Sequence, residues 1–265
     1  MKIFKDQLNR IIRLPDQMPL RIVSLVPSQT ELLFDLGLDE EVKGITKFCI
    51  HPENWRRSKP KVGGTKNVNI ETVAALNPTL IIANKEENVK EQIEALERIA
   101  PVWVSDINTL EDACEMIEMV GEIVRKPDKA ILLARQIREK FSLIPQREVK
   151  IPAAYFIWKN PYMAAGNNTF IDEMLNHFGF ENIFNTFERY PEVTLQQLEA
   201  SACRHVFLSS EPYPFKQSHA DELQSILPQM QVSLVDGEMF CWYGSRLLPA
   251  ADYLLNLSEN LHHKN

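Results

Sequence analysis

The chain has 265 residues, 45% of them apolar, and a formal charge of −7 from 29 basic against 36 acidic side chains. That length holds one large domain or two smaller ones, with apolar content for a substantial core. The acidic excess is spread along the whole sequence, so there is no footprint for nucleic acid or an anionic membrane surface. No apolar run approaches the ~18 residues of a membrane span, so no membrane insertion is expected.

The opening MKIFKDQLNRIIRLPDQMP carries Lys2, Lys5, Asp6 and Arg10 and lacks the apolar stretch of a secretory signal. As it stands, the chain is expected in the cytoplasm; it would be periplasmic if an export signal had been removed. RIVSLV (21–26) is a short branched apolar strand, and the helix after it has apolar spacing at Leu32, Leu33 and Leu36. Ser28 is the expected N-cap with Glu31 as capping-box partner, and Gly37 fits the helix end. A strand is expected over 41–46, a helix over 70–76 and a buried strand over 80–83. Trp55-Arg56-Arg57 reads as a solvated turn. Helix 89–99 and strand 102–106 continue the alternation. A helix follows over 109–125, with Cys114 packed in the core. Pro127 interrupts it, and Asp128 caps a second helix over about 129–143.

The alternation resumes with strand 153–158, helix 168–179, helix 193–200, strands 205–210 and 231–237, and a closing helix over 245–261. His262 and His263 read as a frayed tail. Regular strand–helix alternation with short apolar runs indicates parallel sheets covered on both faces. The expected fold is α/β, with two lobes holding parallel sheets, joined by a rigid backbone helix, and a ligand cleft between the lobes. The expected boundaries are a first lobe over 1–126, the connecting helix over 127–147 and a second lobe over 148–265.

Ligands of open parallel sheets bind beyond the carboxyl ends of the strands. That rule selects Ser28, Gln29, Lys47-Phe48-Cys49, Asn84, Lys85 and Asp106 in the first half. In the second half it selects Trp158, Ser209 through Tyr213 including Glu211, and Asp236 through Tyr243. Phe240, Trp242 and Tyr243 within four residues suit a wall against a flat or bulky ligand, although lobe-packing core is an equal reading. His51, two residues after Cys49, has a spacing compatible with a soft metal, but two donors do not make a site, and a lip histidine is the plainer reading. None of the four cysteines forms a CxxC pair, so no metal site is expected. No GxSxG, HExxH or HxE…CxxC pattern occurs, and the chain reads as a binding protein without catalytic residues.

RIVSLVPSQTELLFDLGL, VGGTKNVNIETVAALNPTLIIA and MFCWYGSRLLPAADYLL, with DQLNRIIRLP before them, resemble in that order the periplasmic cobalamin- and ferric-siderophore-binding proteins. These are the helical-backbone metal receptors of ABC importers. The resemblance spans essentially the whole chain. It implies the capture of a metal chelate (cobalamin, haem or a ferric siderophore), no covalently bound cofactor, a permease as partner and a monomeric receptor. It carries Glu71 onto a transporter-docking glutamate, while Gln196 stands where the second-lobe counterpart falls and cannot make that charge pair. Trp242 and Arg246 match the aromatic and the arginine of the closing loop. Asn84 stands where cobalamin binders carry an aromatic. A second reading is a cytoplasmic metal-cofactor-handling protein or enzyme of nitrogenase- or chelatase-like architecture, with Cys49 and His51 as its handle.

Overall fold

The computed structural model describes residues 1–262 and divides the chain into two compact units. The first comprises Met1–Ile107, Glu111–Arg138 and Tyr243–Arg246; the second comprises Asn108–Leu110, Glu139–Trp242 and the remainder from Leu247.

In the first unit, β1 (Lys2–Lys5) and β2 (Ile11–Leu14) form an antiparallel hairpin. β3 (Ile22–Ser24), β4 (Val42–Ile45), β5 (Leu80–Asn84) and β6 (Val102–Ser105) form a parallel sheet of order β4-β3-β5-β6. Every residue of β3, β5 and β6 is buried, which is why these runs are continuously apolar rather than alternating. Around the sheet run α1 (Pro27–Asp35), α2 (Glu53–Ser58), α3 (Ile70–Ala75), α4 (Lys90–Leu96) and α5 (Leu110–Ile123). The chain passes into the second unit inside α6 (Pro127–Ser142), between Arg138 and Glu139. A Cβ built on Gly121 of α5 would lie 2.1 Å from the Ala130 Cβ of α6, so glycine permits the close approach of the two helices.

In the second unit, β7 (Ile151–Trp158), β8 (Met163–Ala164), β9 (Phe180–Asn182), β10 (His205–Ser209) and β11 (Gln231–Val235) form one sheet. Its order is β11-β10-β7-β8, with β9 also on β7, and only the two-residue β8 is antiparallel. The helices are α7 (Phe170–His177), α8 (Leu195–Glu199), α9 (Gln217–Ile226), α10 (Glu238–Cys241) and α11 (Leu247–His262).

Several local expectations are corrected. Ser28 does not cap α1: Val26 holds the cap position and Pro27 the first turn, where its fixed φ and missing N–H cost nothing. Glu31 is consequently not a capping-box partner and turns to Arg246 instead. Pro127 likewise opens α6, two residues before the expected start. The stretch read as a solvated turn is α2, and Trp55 is 1% exposed, packed edge-on against Phe34 with its Nε1 donating to Asp39 at 2.8 Å. α9 escapes the sequence reading because its buried apolar contacts reduce to Ala220 and Leu223 among polar residues. His262 is the last residue of α11, its Nδ1 2.8 Å from the Ser258 carbonyl oxygen; His263 lies outside the described residues.

Candidate functional site

Strand ends define the candidate site in each unit, because a parallel sheet directs its βα loops to the same edge. In the first unit the α1 loop follows β3. Ser28 and Gln29 there are buried, 3% and 0% exposed. Gln29 Nε2 lies 2.5 Å from Ser105 Oγ, at the end of β6, and its Oε1 has no protein partner among the described residues. Asn84, at the end of β5, also donates to Ser105 Oγ, at 2.9 Å. Its Oδ1 accepts from the backbone N–H groups of Glu86 and Glu87 at 2.8 and 2.9 Å. Asn84 therefore uses its whole side chain to shape the loop after β5, in the manner of an Asx turn. The next residue, Lys85, is exposed and pairs with Asp106 at 2.6 Å.

Cys49 and His51 follow β4. Cys49 is fully buried, its Sγ 3.1 Å from Thr30 Oγ1 and 3.2 Å from Thr46 Oγ1. Burial pushes its thiol above the usual range, which disfavours the thiolate a metal needs. His51 is half-buried. Among the described residues no group of three or more His, Cys, Asp and Glu side chains is placed to hold a metal ion. The exposed ring of this loop is Phe48, at 51%.

The segment Tyr243–Arg246 belongs to the same unit. Tyr243 is 6% exposed. Arg246 grips Glu31 with Nε and Nη2 at 2.9 and 2.6 Å, a two-pronged charge-assisted contact. Burial still raises the Glu31 carboxyl above its ordinary range, and Arg246 opposes that rise.

In the second unit, Trp158 ends β7 and is 41% exposed. Its ring meets the half-buried Tyr213 edge-on at 5.5 Å, and Tyr213 continues into Phe215 at 4.7 Å. Glu211 follows β10. Its Oε1 accepts from Trp242 Nε1 at 2.7 Å and from Cys241 Sγ at 3.1 Å. Burial raises the Glu211 carboxyl, and the two donors lower it. Trp242 is 6% exposed, held by this carboxylate. Phe240 is fully buried, 4.8 Å from Tyr155 and 5.9 Å from Phe207, and so forms core. The run Phe240-Trp242-Tyr243 is thus mostly interior, and the exposed rings at the strand ends are Trp158 and Phe48. Period and spacing could not separate these cases, since all five rings follow strands.

Glu71 and Gln196 occupy matching positions in short capped helices. Glu71 is the second residue of α3, whose cap Asn69 accepts from Thr72 N at 2.9 Å. Gln196 is the second residue of α8, whose cap Thr194 accepts from Gln197 N at 3.2 Å. Both side chains are exposed.

Residues 22–226 match the sequence profile of a family described as periplasmic binding protein. A vitamin B12-binding protein of Vibrio parahaemolyticus is 27% identical over 183 residues, 67% of this chain and 66%, just under two thirds, of that relative. One from Yersinia pestis is 25% identical over 252 residues, 92% of this chain and 88% of the relative. Among solved structures, the apo periplasmic heme-binding protein RhuT of Roseiflexus sp. RS-1 superposes with a TM-score of 0.78 at 20% identity, covering 91% of this chain and 97% of that one. The periplasmic vitamin B12-binding protein BtuF of Vibrio cholerae gives 0.75 at 19%, with 91% and 97% covered. The molybdate-binding MolA of Haemophilus influenzae gives 0.77 at 16%, with 100% and 92% covered. At these identities the superpositions establish a shared fold. The cytoplasmic placement expected from the first residues is overturned: the matching family is one of periplasmic binding proteins, and these structural neighbours are themselves periplasmic.

Proposed function

Since the chain belongs to the periplasmic binding protein family, we propose that it is the substrate-binding protein of an ABC importer and captures a metal chelate with the strand-end loops of its sheets. Cobalamin, haem and ferric siderophores are the ligand classes. The observation that carries this reading is the exposed Trp158 set edge-on against Tyr213 at the ends of β7 and β10. An indole partly exposed beside a second aromatic at the strand ends offers apolar area that a ligand can cover. Flat or bulky chelates cover such rings.

Relatives described as vitamin B12-binding and structural neighbours described as heme-binding support a chelate over a bare ion. The full burial of Cys49 supports the same choice: desolvation raises its thiol against the opposing pull of the Thr30 and Thr46 hydroxyls, and a neutral thiol is a poor metal ligand. Among the strand-end residues of the first unit, Ser28, Gln29, Asn84 and Arg246 shape and brace the loops and Phe48 offers an exposed face. Among those of the second unit, Glu211 braces its loop and Trp158 and Tyr213 offer theirs. Glu71, exposed and without an ion pair among the described residues, is the proposed contact to permease arginines. Gln196 offers the permease a neutral amide at the matching position of α8.

The test is titration of the purified chain with haemin, cyanocobalamin and a panel of ferric siderophores, followed by tryptophan fluorescence and thermal unfolding. A true ligand at a hundred times its Kd adds about 2.7 kcal/mol of stability. The reading fails if every compound leaves both signals unchanged at high micromolar concentration.

A further inference from the structure

Lys47 and Phe48 form a unit at the end of β4 that the fold itself does not use. Phe48 is 51% exposed, and the Lys47 ammonium sits 5.0 Å from its ring centre. The pair is built against the turn that follows α2. Lys47 N donates to the Gly63 carbonyl at 2.8 Å, and Gly64 N donates to the Asn67 carbonyl at 2.9 Å. A Cβ on Gly64 would lie 3.0 Å from Phe48 Cε2 and 3.4 Å from Lys47 Cε, so the turn leaves room for these two side chains to lie on it. Lys66, on the same turn, donates its ammonium to the Glu86 carbonyl oxygen.

The cations of this edge differ in what neutralises them. Lys85 is paired with Asp106 at 2.6 Å, whereas Lys47 has no carboxylate within ion-pair distance among the described residues. Lys66 meets a carbonyl dipole in place of a carboxylate. A half-exposed ring beside an unneutralised ammonium recognises an apolar group that carries negative charge at its rim: the open part of the ring meets the apolar body and the ammonium takes the anion.

We propose that the Lys47–Phe48 pair reads a carboxylate on the ligand, so that the chelate is an anionic, planar one of the carboxylated metalloporphyrin class and not a neutral corrinoid. This rests on the chelate-capture reading above and narrows it to one ligand chemistry.

Three probes separate the outcomes: haemin with free carboxylates, its dimethyl ester and cyanocobalamin. They are titrated into the parent chain, Lys47→Gln, and Lys2→Gln as a control that removes one charge from the hairpin. Lys47 is exposed, so the variant keeps the parent fold, which its unfolding midpoint checks. The expected result is haemin as the tightest probe, with affinity falling about 5- to 10-fold in Lys47→Gln, the range of a charged hydrogen bond partly exposed to water. The ester should bind the parent and Lys47→Gln alike, and Lys2→Gln should match the parent. Equal haemin affinity in the parent and Lys47→Gln, or ester or cyanocobalamin binding as tightly as haemin, overturns the proposal while chelate capture stands. Silence from all three probes together with the siderophore panel overturns both.

Discussion

Arg246 and Glu31, 215 residues apart in the chain, form a two-pronged ion pair at 2.9 and 2.6 Å that ties the segment before α11 to the second turn of α1. Both side chains are largely buried, 12% and 17% exposed, so removing one strands the other. Arg246→Ala should destabilise the protein by about 3 kcal/mol at neutral pH, read by urea unfolding. Burial already holds the Glu31 carboxyl above its unfolded-state range. A raised carboxyl favours folding below the unfolded pKa, and that contribution is lost as pH rises through the folded one. Without Arg246 the carboxyl rises further, so the deficit of Arg246→Ala should shrink steadily on acidification. A deficit independent of pH would show that the pair does not set Glu31.

Glu211 holds Trp242 through one carboxylate oxygen that also accepts from Cys241. Glu211→Ala should cost about 2 kcal/mol, the scale of a hydrogen bond to a charged group. It should also shift tryptophan emission as the indole N–H loses its acceptor. Burial raises this carboxyl, so the ionised form costs stability above its folded pKa and the cost is relieved as pH falls. Glu211→Gln keeps an acceptor without the charge and should flatten this part of the pH–stability profile. An unchanged profile would refute the assignment.

Gly121 sits where α5 meets α6, with the Ala130 Cβ only 2.1 Å from where its own Cβ would be. Helix propensity alone predicts that Gly121→Ala stabilises by about 1 kcal/mol. Overpacking costs about 1–3 kcal/mol, and at this separation it should win. Adding Ala130→Gly should relieve the clash and give a positive coupling in a double-mutant cycle. A simple gain in Gly121→Ala would mean that the helices part without cost.

Trp158 is exposed enough that Trp158→Ala should change stability by about 0.5 kcal/mol or less. Its effect should fall on the ligand: at least ~10-fold weaker binding of the best chelate, the scale of a lost aromatic contact at a binding face. Parent-like affinity in this variant, measured by the ligand's own absorbance, would remove Trp158 from the site.

The sequence by itself determined the α/β alternation, the parallel strands β3 to β7, β10 and β11, and the family, while the short β8 and β9 escaped it. Strands such as Leu80–Asn84 are read from local composition, because burial on both faces demands a continuous apolar run. The helix ends went partly astray for an equally local reason: at Pro27 and Pro127 the proline opens the helix instead of delimiting it. Tertiary structure alone decided which aromatic faces water. Trp55 and Phe240 look as available in the sequence as Trp158 and Phe48, yet the first two are interior and the last two exposed. Likewise, only the fold brings Arg246 to Glu31 and Trp242 to Glu211. Burial and pairing depend on elements distant in the chain, whereas periodicity reports a residue's own turn or strand.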